Sequence, residues 1–248
     1  TYLMGTAGSG KSTLALSLAE RLRSSEAEVA ILNLDPGVQW LPYSPDVDIR
    51  DYVDYEKLAQ TFKLGPNGAL VASVDAAANH VDQMRNDLEQ LRPDTVIVDT
   101  PGQMELFAYR SSGTYLANAL SEGDKSIIFL ADSLFLNRAS DFVSILLLSY
   151  SIALRFKAPQ VNCVSKVDLL PKETYDRATL WTSDPETLRE AFLDEKTDSA
   201  SEMSQRMLDS LLDVGALGEF IFTSSNTGEG LDNLHAQLQR MHTSSEDR

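Results

Sequence analysis

Residues Gly5 to Thr13, "GTAGSGKST", fit the pattern G-x-x-x-x-G-K-[ST], directly after an apolar run and directly before a helical pattern. Glycines at this spacing let backbone N–H groups wrap phosphate oxygens, and the following helix N-terminus adds its partial positive charge. Gly8, Ser9, Gly10, Lys11, Ser12 and Thr13 form the expected phosphate-binding set. Lys11 is suited to the β/γ oxygens and Ser12 to an Mg2+ ion, whereas a plain glycine-rich turn would need neither residue. "DTPGQ", Asp99 to Gln103, follows a second apolar run, which places Asp99 at a strand end beside this loop. There it can hold the Mg2+ shell, or simply cap the next helix. Gly102 has an N–H to give to a γ-phosphate, and Gln103 is either a water-orienting residue or a solvated one. "NLDPG", Asn33 to Gly37, ends a third run and puts Asp35 across the phosphate site, to orient the attacking water or to start an Asp-Pro turn.

"SKVD", Ser165 to Asp168, resembles the [NT]KxD base-reading element of GTPases. The Asp168 carboxylate can accept both N1–H and N2–H₂ of guanine, whereas adenine presents an acceptor at N1 and no amino group at C2. Mispaired polar groups of that kind discriminate strongly. Lys166 can lay its alkyl stem along the base. Serine at 165 departs from the usual asparagine, so the contact from that position to the base and the phosphate loop is expected to be shortened or lost. "SSNTGEG", Ser224 to Gly230, resembles the last GTPase element, in which a backbone N–H near Ser225 or Asn226 would reach guanine O6.

Short apolar runs must carry these motifs: "TYLM" (1–4), "EVAILNL" (28–34), "TVIVDT" (95–100), "SIIFLAD" (126–132), "QVNCVS" (160–165) and "EFIFTS" (219–224). They lack polar alternation, as strands do when helices cover both faces of a parallel sheet. Helical patterns lie between them at 12–23, 49–62, 68–91 and 139–157. The expected fold is α/β: one doubly wound, mostly parallel sheet spanning 1–248, of the P-loop NTPase kind. Residues 171–217 read as a small helical insertion, with a helix at "SDPETLREAFLD" introduced by a cap and Pro185, and another at 203–212. The tail "TSSEDR" is expected to fray.

The chain has 248 residues, 43% of them hydrophobic, enough for a substantial core. Its 21 basic and 37 acidic residues give a net charge of −16, which disfavours direct nucleic-acid binding and an anionic membrane surface. "FVSILLLSYSIALRF" (142–156) is shorter than the ~20 residues of a membrane span and reads as a core helix. One cysteine, Cys163, leaves no disulfide framework, so a reducing cytoplasm is the expected setting. The opening "TYLMG" shows no secretory signal.

"LGPNGAL", Leu64 to Leu70, reads first as a tight turn, since Pro66 fixes its φ and Gly65, Asn67 and Gly68 accept unusual backbone conformations. Taken in order, "GTAGSGKST…NLDP…GPNGA…DTPGQME…SKVD" resembles the GPN-loop GTPase family from Gly5 to about Leu238. The resemblance implies GTP/GDP as ligands, Mg2+ as cofactor and a stable homodimer in which Gly65, Pro66 and Asn67 reach the partner's γ-phosphate region. It also implies involvement in RNA polymerase assembly. Thr6 stands where some dimeric nucleotidases carry a second lysine, and no arginine finger is legible, so a carboxamide donor from Asn67 fits as charge stabiliser. Its competing role is N-cap of the helix expected near Gly68. Two other readings stay open: a P-loop ATPase or small-molecule kinase, and a non-catalytic GTP-dependent assembly factor.

Overall fold

The protein is described here from a computed structural model, which covers residues 1–121, 125–195, 201–215, 217–218 and 220–246. Glu219 of the expected "EFIFTS" strand, and Asp247 and Arg248 of the tail, lie outside the described residues. The apolar runs become strands β1 (Tyr2–Gly5), β2 (Val29–Asn33), β4 (Thr95–Asp99), β5 (Ile127–Asp132), β6 (Gln160–Ser165) and β7 (Phe220–Phe222). A two-residue strand, β3 (Val47–Asp48), joins them at the edge, too short to show any period in the sequence. All pairings are parallel, in the order β3-β2-β4-β1-β5-β6-β7. Chain direction across the sheet reverses around β1, the kind of switch point where α/β sheets bind ligands at their carboxyl ends.

Alternate side chains of each strand enter different cores. Tyr2, Met4, Ala30, Leu32 and Phe129 face α3 (Pro66–Ala77), α4 (Val81–Leu91), α6 (Ser111–Ala119) and α7 (Ala139–Phe156). Leu3, Ile31, Ile97, Ile128 and Leu130 face α1 (Lys11–Arg23) and α11 (Leu231–Glu246). Each such fully buried leucine or isoleucine contributes about 1.5–3 kcal/mol relative to exposure. The apolar 142–156 stretch is the middle and end of α7, with Phe142, Ile145, Leu146 and Ile152 buried in these layers.

Within 171–217 lie α8 (Lys172–Ser183), α9 (Pro185–Asp194) and α10 (Ser201–Asp213), which make the crossover from β6 to β7. They bury Trp181, Leu188, Phe192 and Leu208 in a third apolar cluster with Phe142 and Phe220. Asp184 accepts from Glu186 N–H at 3.1 Å and so caps α9, with Pro185 in its first turn. Phe142 stacks on Trp181 at 6.2 Å and meets Phe220 edge-on at 5.3 Å. Phe142→Ala is therefore expected to lower unfolding stability by about 3–5 kcal/mol, read by urea titration.

Four details differ from the sequence expectation. The 49–62 pattern is a 3₁₀ turn (Ile49–Asp51) followed by α2 (Tyr55–Phe62). The 68–91 helix starts two residues earlier, at Pro66, and breaks at a 3₁₀ turn over Ala78–His80, where asparagine and histidine are weaker helix formers than the alanines before them. α5 (Met104–Ala108) and α6 were missed because "SSGTYLANA" combines serines and a glycine with little apolar period. The tail, expected to fray, has helical backbone as a continuation of α11 through Glu246.

Candidate functional site

The loop after β1 turns sharply into α1. Gly10, the N-cap, has φ +89, a left-handed conformation that favours glycine. A Cβ on Gly5 would lie 2.1 Å from the Leu130 carbonyl oxygen of the neighbouring strand, so only glycine lets β1 approach β5 there. Lys11 is 5% exposed and donates from Nζ to the carbonyls of Gly5 and Thr6, both at 3.0 Å. Burial lowers its pKa, while Asp99 and Asp35 act to raise it, so both carboxylates face the ammonium. Ser9 is fully buried, with Oγ lacking a partner. Ser12 and the exposed Thr13 follow in the first turn of α1.

Asp99 ends β4 at 2% exposure. Its Oδ2 accepts from the Tyr43 hydroxyl at 2.7 Å, and its Oδ1 is buried with no hydrogen-bond partner. Burial raises its pKa; the Ser12 and Tyr43 hydroxyls and Lys11 act to lower it. Asp35 follows β2, with Oδ1 accepting from Gly37 N–H at 3.0 Å and Oδ2 from Gly102 N–H at 3.3 Å. The amide expected to meet a γ-phosphate is thus engaged by Asp35. Gln103 precedes α5 as its N-cap without a side-chain capping bond.

Below Asp35, Asn33 donates to Asp48 at 3.0 Å, and Arg50 holds the same carboxylate through Nε and Nη2 while donating to the Val38 carbonyl at 3.2 Å. Paired with Asp48 in this way, the exposed Arg50 braces the loop that carries Asp35.

Two strands from β1, at the end of β6, the "SKVD" loop is stitched to the phosphate loop. Ser165 Oγ lies 2.7 Å from the Ser9 carbonyl and 3.1 Å from that of Ala131, able to donate its one proton to either. Of the two expected outcomes at Ser165, a shortened or a lost contact, the phosphate-loop contact is not lost: parallel pairing of β6 with β5, and of β5 with β1, brings position 165 close enough for a short side chain to reach the Ser9 carbonyl. Lys166, at φ +59, sends Nζ to the Gly8 carbonyl and to Asp132 Oδ2, both at 2.6 Å. Asp168 is exposed; Ser224 first, then Asn226, whose Nδ2 donates to Oδ2 at 3.4 Å, hold its carboxyl below the usual range. The Ser225 carbonyl lies 3.4 Å from Ser17 Oγ of α1.

A hollow of about 220 Å³ opens here between Asp132, Leu134, Lys166, Leu169 and Pro171. Leu134 and Leu169, 68% and 70% exposed, form its apolar rim. A larger hollow of about 600 Å³, beside Thr1, Leu88, Arg92 and Pro93, includes none of these site residues.

Gly65, Pro66 and Asn67 are exposed at the start of α3. Gly65 is the N-cap, Pro66 the first helical residue and Asn67 the second, which corrects Asn67 as a candidate N-cap: proline's fixed φ favours the first position. No hydrogen bond to the Asn67 side chain is found among the described residues. Tyr55 joins this turn to the Asp35 loop, donating to the Pro66 carbonyl at 3.3 Å while its ring would lie 3.6 Å from a Cβ on Gly37. The phosphate loop, Asp35, Asp99, Gly102 and the "SKVD" loop are therefore brought together, and Asn67 stands at their margin facing solvent. Sequence reasoning missed Tyr43 and Asp132. Asp132 carried a signal, an acid ending an apolar strand; Tyr43 carried none.

The chain matches, over residues 3–243, a family described as "Conserved hypothetical ATP binding protein". It is 31% identical over 242 residues to GPN-loop GTPase 1 of Schizosaccharomyces pombe, covering 93% of this chain and 65% of that one. With GPN-loop GTPase 1 of Saccharomyces cerevisiae the identity is 31% over 241 residues, covering 92% and 62%. The chain thus spans less than two thirds of these eukaryotic relatives. It is 32% identical over 235 residues to GPN-loop GTPase PAB0955 of Pyrococcus abyssi, covering 93% and 92%. The crystal structure of that protein, titled a GTPase in apo form, superposes with a TM-score of 0.87 at 29% identity, over 97% of this chain and 96% of that one. With an archaeal relative matched over nearly its whole length in sequence and in architecture, the chain belongs to the GPN-loop GTPase family.

Proposed function

We propose that this chain binds GTP and hydrolyses it to GDP and phosphate, with Mg2+, as a homodimer whose output is slow and regulatory. The observation that carries the guanine assignment is the stitching of "SKVD" to the phosphate loop, which holds Asp168 exposed while Ser165 and Lys166 are fixed on the Ser9 and Gly8 carbonyls. Asp168, ionised and flanked by Asn226, accepts the two N–H groups of guanine, and the Lys166 stem lies along the base.

Lys11 exchanges its two loop carbonyls for phosphate oxygens, and the loop's N–H groups hold the rest of the triphosphate. In this reading Asp35 accepts a hydrogen bond from the attacking water, with Gln103 the alternative, since phosphoryl transfer depends mainly on positioning and charge stabilisation. The residues fit a hard divalent cation: Asp99 offers a buried, unpartnered carboxylate oxygen and Ser12 a hydroxyl oxygen directed at the same carboxylate. Held by these two residues, Mg2+ would neutralise charge on the β/γ-phosphate oxygens.

Homodimerisation is supported by the exposed Asn67 and by Trp40 and Phe62, 75% and 62% exposed, near the chain segments that carry Asp35 and the GPN turn. A client such as RNA polymerase, and a cytoplasmic location, belong to this proposal on the family resemblance.

Asp168→Asn tests the base assignment. It replaces an acceptor oxygen with an N–H₂ donor, so GTP affinity is expected to fall and affinity for XTP, with a carbonyl at C2, to rise. Calorimetric titration of both nucleotides reads this directly, and equal behaviour of parent and variant toward GTP and XTP overturns it.

A further inference from the structure

We infer that Tyr43 is a positioning residue for the carboxylate that holds the metal. The inference rests on the Mg2+ reading above but concerns a residue outside every phosphate- and base-binding motif. Tyr43 lies in the connection from β2 to β3, is 8% exposed, and belongs to the apolar cluster with Leu3, Leu14, Ile31 and Ile97. From that anchored ring its hydroxyl donates to Asp99 Oδ2 at 2.7 Å. Oδ1 of the same carboxylate is buried and unpartnered.

An aspartate's terminal torsion is broad and roughly two-fold, so nothing intrinsic decides which oxygen meets a given partner. The Tyr43 hydrogen bond narrows that freedom: it engages Oδ2 and, beside the Ser12 hydroxyl that also acts on this carboxylate, favours the orientation that leaves Oδ1 for a cation's hydration shell. Outer-shell partners of this kind orient ligating carboxylates. Tyr43 also ties the segment that carries Asp35 to Asp99, the two acids that flank Lys11.

Tyr43→Phe keeps the ring and deletes only the hydroxyl. Binding of the non-hydrolysable analogue GppNHp is measured by calorimetry at graded MgCl₂ and in EDTA, with a melting curve to establish folding. The Mg2+ concentration giving half of the affinity gain is expected to rise about tenfold, while affinity in EDTA stays within about twofold of the parent. In an Asp99→Asn background, which removes the buried carboxylate and so also serves if the single variant does not fold, adding Tyr43→Phe is expected to leave the Mg2+ midpoint unchanged. An unchanged midpoint in the folded single variant, equal losses with Mg2+ and with EDTA, or a further shift in the Asp99→Asn background would each overturn the inference. A parent whose affinity does not respond to Mg2+ would instead sink the metal reading itself, and this inference with it.

Discussion

Mixing Lys11→Ala chains with Asn67→Ala chains is expected to restore roughly a quarter of parental GTP turnover from two nearly inactive proteins. Lys11→Ala lacks the phosphate lysine but keeps Asn67; Asn67→Ala keeps the lysine and lacks the carboxamide. If Asn67 acts across a two-fold axis, a mixed dimer pairs the intact phosphate loop of one chain with the intact Asn67 of the other and rebuilds one complete site. With random re-pairing at equal amounts about half the dimers are mixed, each with one good site of two. Cooperative sites give less. The large loss in Asn67→Ala alone follows from removing a preorganised donor at a developing charge, worth on the order of 10²–10³ in rate. The structure bears on this in two ways. Asn67 is exposed in the first turn of α3, free of the capping role that would hold it in its own chain. Arg50, the cation beside the Asp35 segment, is paired with Asp48 of its own chain. No recovery at any mixing ratio, with subunit exchange verified by mass spectrometry, would make the GPN turn an intramolecular feature.

Asp35→Asn is expected to leave GTP affinity near the parent value and to reduce single-turnover hydrolysis by on the order of 10²–10⁴, the span of a positioned proton acceptor. Asp35 is well placed for that split. It reaches Lys11 electrostatically and holds the Gly37 and Gly102 amides, so it borders the phosphate loop without supplying any of its N–H groups. The Gly102 N–H can serve Asp35 or a γ-phosphate, not both at once, so phosphate binding would free Oδ2 for water. Near-normal turnover in Asp35→Asn would pass the role to Gln103 or to neither.

The sheet and the loops at its carboxyl ends were legible because buried parallel strands announce themselves as unbroken apolar runs, and because the glycines and acids ending them have narrow chemical uses. The packing that stitches those loops was not. Ser165 reaches the Ser9 carbonyl only because β5 stands between β1 and β6, a fact of strand order rather than of local sequence. Tyr43 is one aromatic in an irregular connection, and only three-dimensional proximity ties it to Asp99, 56 positions away. The start of α3 at Pro66 was open to a local argument, proline at the first helical position, yet the neighbouring glycines pointed equally to a turn.

Guanine selectivity joined to hydrolysis is the centre of the account, and the family description that names ATP makes the alternative concrete. Phosphate release from Mg2+·GTP, measured alone and against excess ATP, tests it most directly. The account predicts release from GTP that Asp168→Asn slows at sub-saturating GTP and that excess ATP does not suppress. Release from ATP at a comparable rate, or competition by ATP equal to that by GDP, would contradict it.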